Sequence, residues 1–279
     1  GNLKTSLRKG SSEADDLRNF VDILGHRKQF WLFGDSITQR ATGPTGWGTL
    51  LSHRYSRKVD VINRGFSGYN TKHALAMVKM LAQGAQEDRG GFSHVLVTVF
   101  FGANDACDRD IAWQGVPLSE YAENLRQIVE ILQKKLPGAS VVVITPPPFN
   151  SDAKRHAKPR SNERVAKFAA AAVGVAEEKG VPFLDLYHTM MNITDWKSYL
   201  EDGLHLSDSG QRLLFDSLLS LFSSHPSLSR FKERSVPQHF PTWSRFAKWS
   251  PSDAILGKIC EYPDEKGRYC IQGQASAVA

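Results

Sequence analysis

The chain has 279 residues, with 41% apolar and 23% charged side chains and a formal net charge of +6. That length and balance suit a globular protein with a sizeable core, and no apolar run approaches the roughly 20 residues needed to cross a bilayer as a helix. The basic excess does not amount to a nucleic-acid footprint, because Lys and Arg are scattered among nearly as many Asp and Glu. The first thirty residues lack the basic, apolar and small-residue order of a secretory leader. Three cysteines, Cys107, Cys260 and Cys270, are too few for a disulfide framework, although Cys260 and Cys270 are close enough in sequence to bridge. No cysteine or histidine set has zinc spacing. These features suit a reducing, cytoplasmic setting.

In chain order, residues 1–27 read as a polar arm with a short helix around Leu17 to Leu24. Five apolar, partly β-branched runs follow as strands: Gln29 to Phe33, Val59 to Asn63, Val95 to Phe101, Ser140 to Thr145 and Val181 to Leu186. The near-continuous apolar third run suits a strand buried on both faces. Between them lie helical stripes. One follows Ser119 as N-cap, with Tyr121, Leu125, Ile128, Val129, Leu132 and Leu136 on one face before Pro137-Gly138. Another follows Ser161, with Val165, Phe168, Ala169, Ala172, Val173 and Ala176, and stops at Gly180. Shorter stripes occupy Thr71 to Leu81 and Ser207 to Phe222. Alternating strands and helices imply right-handed βαβ units: an α/β protein with a doubly wound parallel sheet between two helical layers. Residues 223–279, with Phe240, Trp243, Phe246 and Trp249 among Pro and basic residues, have no clear period. They read as an extension packed on the domain or, alternatively, as a partner- or membrane-surface segment.

In such a sheet, ligands bind beyond the carboxyl ends of the strands. Gly34-Asp35-Ser36, Arg64 to Gly68 and Gly102 to Asp105 all fall there. Ser36 is a candidate nucleophile if a base lies within reach, or else a cap for the next helix. The segment is not a GxSxG elbow, because Thr38 replaces the final Gly. In Asp202-Gly203-Leu204-His205, the carboxylate can accept from His Nδ1–H and leave Nε2 as a base, with Gly203 permitting the tight turn. Asn104 and the backbone N–H groups of Gly68 and Ser36 could form an oxyanion hole, although taken singly Gly68 reads better as a tight turn and Asn104 as an Asx-turn. Trp47 and Phe66 are candidate acyl-chain contacts, with core packing as the alternative.

GDSI at 34–37, GFSG at 65–68, GAND at 102–105 and DGLH at 202–205 resemble, in order, the four signature blocks of SGNH/GDSL hydrolases. The resemblance covers about residues 29–222. It implies a flavodoxin-like three-layer α/β/α sandwich on a five-stranded parallel sheet, and a hydrolase domain over 28–222 between the arm and the extension. It implies Ser36 as nucleophile, His205 as base, Asp202 as the acid that orients it, and Gly68 and Asn104 as oxyanion donors with Ser36. FGDSITQ, Gly46-Trp47, NRGFSGYNT, FFGANDA and DGLHLS further resemble the isoamyl-acetate-hydrolysing esterase branch, which acts on short acyl esters. The implied reaction is hydrolysis of a small-molecule ester through an acyl-enzyme, with no metal or organic cofactor. A carbohydrate O-acetylester, a thioester or a lysophospholipid is the alternative substrate, and a non-catalytic binding module the alternative of another class. The long extension, the arm and the basic loop Ser151 to Arg160 depart from the family pattern.

Overall fold

The computed structural model describes residues 28–87, 94–153, 156 and 159–236. The expected arm, its helix near Leu17, the aromatic segment beyond 236, Cys260 and Cys270 lie outside the described residues. One compact unit spans Lys28–Val236.

The sheet contains β1 (Gln29–Gly34), β2 (Asp60–Gly65), β3 (His94–Phe100), β4 (Ser140–Ile144) and β5 (Phe183–Leu184). All pairings are parallel and the spatial order is β2-β1-β3-β4-β5. This is the flavodoxin-like order, with its switch point between β1 and β3. Every residue of β1 is buried, as expected for a strand covered on both faces, whereas edge strand β2 is half-buried throughout.

The helices are α1 (Ser36–Gln39), α2 (Trp47–Arg54), α3 (Thr71–Glu87), α4 (Leu118–Lys135), α5 (Asn162–Glu178), α6 (Leu186–Met191) and α7 (Asp208–Ser224). They pack in two groups, α3 on α4 on α5, and α2 on α7. These are the outer layers of the sandwich. Ser161 caps α5 by accepting from Arg164 N–H, and Ser207 caps α7 by accepting from Gly210 N–H.

Several expectations are corrected. Ser119 is not a cap: α4 begins at Leu118 behind Pro117, whose fixed φ already suits a helix entry. On α5 the buried position is Val175 and not Val173, because the stripe follows the sheet at spacings of three and four. β5 has only two residues, because the Asp185 side chain accepts from His188 N–H and starts α6 where a longer strand was expected. The core also continues past residue 222. Phe222 and Phe231 pack edge-on or tilted around Phe30 with Tyr55, and Leu228 and Val236 are buried with them. Each fully buried aromatic of this kind contributes about 1.5–3 kcal/mol.

Register positions the site. Gly34 pairs with Gly65 on one side and with Phe100 on the other, so β1, β2 and β3 end level. The loops that follow them open on one rim.

Candidate active site

The sharp exit from β1 is fixed by Asp35, whose buried carboxylate accepts from Ile37 N–H and caps α1. Ser36 is therefore the first residue of a short helix, where a backbone N–H has no partner within the helix. Gln39 Oε1 accepts from Ser67 N–H at 2.8 Å, and Asn63 Nδ2 donates to Thr38 O at 2.9 Å. The turn holding Ser36 is thus tied to the end of β2.

His205 arrives from the loop before α7. Leu200 and Leu206 form an antiparallel bridge, and Glu201 N–H donates to His205 O at 2.8 Å. Gly203 lies in the left-handed region at φ +86°, and a Cβ there would meet Ala153 Cβ at 2.4 Å. Only glycine fits both the turn and the close approach. Asp202 Oδ1 accepts from the backbone N–H of Leu204 and His205 at 3.1 and 2.9 Å, which leaves Oδ2 toward the imidazole. His205 Nδ1 is 2.8 Å from Asp202 Oδ2, and His205 Nε2 is 2.9 Å from Ser36 Oγ. The structure therefore brings Ser36, His205 and Asp202 into one hydrogen-bonded line from two segments, the exit of β1 and the loop before α7. With the carboxylate as acceptor, the imidazole carries its proton on Nδ1 and offers a lone pair to Ser36 at Nε2.

The electrostatics suit that tautomer. Burial works against the Asp202 charge, but hydrogen bonds from His205 and Leu204 outweigh it and hold the carboxyl well below its usual range. Burial pushes His205 below its ordinary value; Asp202 offsets part of this, and the Arg40 and His156 charges add to it. The imidazole is thus a neutral base at neutral pH.

On the same rim as this line are the loops after β2 and β3. Gly68 has φ +80°, a conformation glycine adopts without strain. Asn104 is buried; its Nδ2 donates to Tyr69 O at 2.9 Å, so one amide hydrogen is engaged. Asp105 Oδ1 accepts from both the N–H and the hydroxyl of Thr71, which joins this loop to the start of α3, while its Oδ2 is buried without a partner. Burial raises Asp105 to about 6 and Asp35 to about 7.

The two expected acyl contacts diverge. Trp47 is a core residue and not a pocket residue. It is wholly buried at the start of α2, whose inward positions Trp47, Gly48 and Leu51 are all buried, and its backbone N–H donates to Gln211 Oε1 on α7. Phe66 is half-buried and stacks on Tyr69 at 5.5 Å, in the loop after β2.

Three further neighbours carry no signal in the sequence. His156 Nε2 is 3.2 Å from Asp202 Oδ2, Gln114 Nε2 donates to Gly68 O at 3.0 Å, and Arg160 reaches Asn104. Among the described residues, the one His/Cys/Asp/Glu group with metal-compatible spacing is His156, Asp202 and His205. It coincides with the hydrogen-bonded dyad, whose facing atoms already satisfy each other.

Residues 32–213 match the GDSL-like lipase/acylhydrolase family. The chain belongs to that family. It is a carboxylic ester hydrolase. A GDSL esterase/lipase of Arabidopsis thaliana is 42% identical over 204 residues, 69% of this chain and 84% of the relative. The isoamyl acetate-hydrolyzing esterase 1 homolog of Rattus norvegicus is 41% identical over 237 residues, 81% of this chain and 91% of the relative. Among solved structures, a lipase/acylhydrolase from Enterococcus faecalis superposes with TM-score 0.56 at 26% identity, covering 74% of this chain and 96% of its own. An acetylxylan esterase from Geobacillus stearothermophilus shares the fold at TM-score 0.56 and 18% identity, covering 71% and 94%. Among the described residues, no helix is long and apolar enough to cross a membrane.

Proposed function

We propose that the protein hydrolyses short-chain, acetate-type carboxylic esters through an acyl-enzyme on Ser36. The observation that carries this reading is the continuous line from Ser36 Oγ through His205 to Asp202, with links of 2.9 and 2.8 Å. In the first step Ser36 Oγ attacks the ester carbonyl while His205 Nε2 takes the hydroxyl proton. The carbonyl oxygen becomes an oxyanion that accepts from Ser36 N–H, Gly68 N–H and the free hydrogen of Asn104 Nδ2. Collapse breaks the ester C–O bond, and His205 returns its proton to the departing alcohol. Water then gives its proton to His205 and attacks the acyl carbon, and the second tetrahedral species releases the acid and regenerates Ser36. Asp202 stays ionised and holds the imidazole in the productive tautomer.

The short acyl group is supported by relatives named for isoamyl acetate hydrolysis at about 40% identity. Phe66, stacked on Tyr69 in the loop after β2, is the proposed contact for a short acyl or alcohol chain. The test is hydrolysis of p-nitrophenyl acetate, butyrate and octanoate by the native chain and by Ser36→Ala. The proposal requires turnover that falls with chain length and disappears with Ser36. Preference for octanoate would reject the short acyl group, and equal activity of both proteins would reject the nucleophile.

A further inference from the structure

Arg160 immediately precedes Ser161, the N-cap of α5, and reaches back to the residues that follow β3. Arg160 Nη2 donates to Asn104 Oδ1 at 3.1 Å, and Arg160 Nε donates to Ala103 O at 3.3 Å. The planar guanidinium thus holds both the backbone and the side chain of the Ala103-Asn104 step. A second donor, Gln114 Nε2, is 3.4 Å from the same Asn104 oxygen and 3.0 Å from Gly68 O. Gln114 is itself held, because its backbone oxygen accepts from Asn70 Nδ2 at 2.8 Å.

An asparagine amide can face a reacting centre with its nitrogen or with its oxygen, and only the nitrogen can donate to an oxyanion. Here the amide oxygen faces a guanidinium and an NH2 group, neither of which can accept. Turning the amide over would set its NH2 against two donors and would leave Tyr69 O without its partner. A cation donating to the oxygen also draws electron density from the nitrogen, which makes the remaining N–H a stronger donor.

We propose that Arg160 is a positioning residue for this reaction: it locks the Asn104 amide in the donor orientation and polarises it toward the oxyanion. The inference rests on Asn104 acting as an oxyanion donor, as proposed above. In this role Arg160 acts through Asn104 and not on the substrate. The same role explains why an arginine stands at this position: a lysine can supply the charge but not the two-pronged grip on adjacent acceptors.

The test is a double-mutant cycle on the full chain with Arg160→Met, Asn104→Ala and the double variant, measuring kcat and KM on p-nitrophenyl acetate and the thermal midpoint. Arg160→Met is expected to lower kcat roughly 10- to 100-fold, the range for losing a charged hydrogen bond, with KM nearly unchanged. Arg160→Lys should fall between it and the native chain. In the Asn104→Ala background the Arg160→Met effect should nearly vanish, because the amide it serves is gone. Equal losses in both backgrounds would overturn the inference and leave Arg160 a structural tie. Native kcat in Arg160→Met would also overturn it. Native kcat in Asn104→Ala would remove the oxyanion reading and this inference with it. If Arg160→Met does not fold, the same cycle run with Arg160→Lys decides.

Discussion

Asp202→Asn separates orientation of the base from the architecture of its loop. Asp202 has two jobs. Oδ1 caps the turn by accepting from Leu204 and His205 N–H at 3.1 and 2.9 Å, and Oδ2 accepts from His205 Nδ1 at 2.8 Å. Asparagine keeps an oxygen for the first job and puts an NH2 in place of the second oxygen. His205 Nδ1 then meets a donor and must become an acceptor, which moves the ring proton to Nε2. That nitrogen faces Ser36 Oγ at 2.9 Å and could no longer take its proton. The loss is therefore nearly the whole contribution of the base. Comparable substitutions in serine-protease triads cost about 10⁴ in kcat, which corresponds to about 5.5 kcal/mol of activation free energy. Because the turn cap survives, the thermal midpoint should stay close to native. The assay is steady-state hydrolysis of p-nitrophenyl acetate at pH 8, paired with a melting curve. A kcat reduction below about tenfold in a folded Asp202→Asn protein would refute the assignment of Asp202 as the orienting acid.

Further outcomes follow from the same geometry. Burial lowers the His205 pKa, so less of the imidazole is protonated at a given pH; kcat/KM should rise with pH to a plateau whose midpoint lies below 6.5, and a midpoint above 7 would contradict the environment described. Asp105 is an acid raised by burial from 3.8 to about 6. The folded chain therefore binds that proton more tightly than the unfolded chain, and the stability it lends below pH 3.8 is lost as pH climbs through about 6. Urea unfolding should show the Asp105→Asn difference shifting in favour of asparagine between pH 4 and pH 7, by up to about 3 kcal/mol, whereas one unchanging difference would contradict an ionised, unpartnered Oδ2. Trp113 is 73% exposed and lies edge-on to His73, which in turn leans on Tyr69 in the loop after β2. Trp113→Ala should raise KM for p-nitrophenyl octanoate severalfold and leave that for acetate unchanged, with a stability change within about 0.5 kcal/mol; unchanged KM for every chain length would place Trp113 outside the acyl path.

The sequence is most legible where a residue's neighbours along the chain decide its structure. Ser161 and Ser207 cap the helices that follow them, and Gly203 takes the positive φ its turn needs. Strand order and level strand ends then bring Ser36, Asn104 and His205 to one rim, as the parallel pattern implies. What the sequence hides depends on distant partners. Read from the sequence, Trp47 suits an acyl contact as well as a core position, and only the packing of α2 against α7 decides for the core. Arg160 lies 56 residues from Asn104 in a polar loop without periodicity, and nothing in the spacing of either residue announces their contact. The tail of the core at Leu228, Phe231 and Val236 is likewise fixed by the aromatic cluster around Phe30 and not by a local pattern.

A covalent acyl-enzyme on Ser36 can be trapped. The native chain and Ser36→Ala would each be mixed with p-nitrophenyl butyrate, quenched in acid within milliseconds, digested and read by mass spectrometry. The geometry predicts one butyryl adduct on the peptide containing Ser36 in the native chain and none in Ser36→Ala. An adduct on another residue, or undiminished turnover in Ser36→Ala, would contradict it.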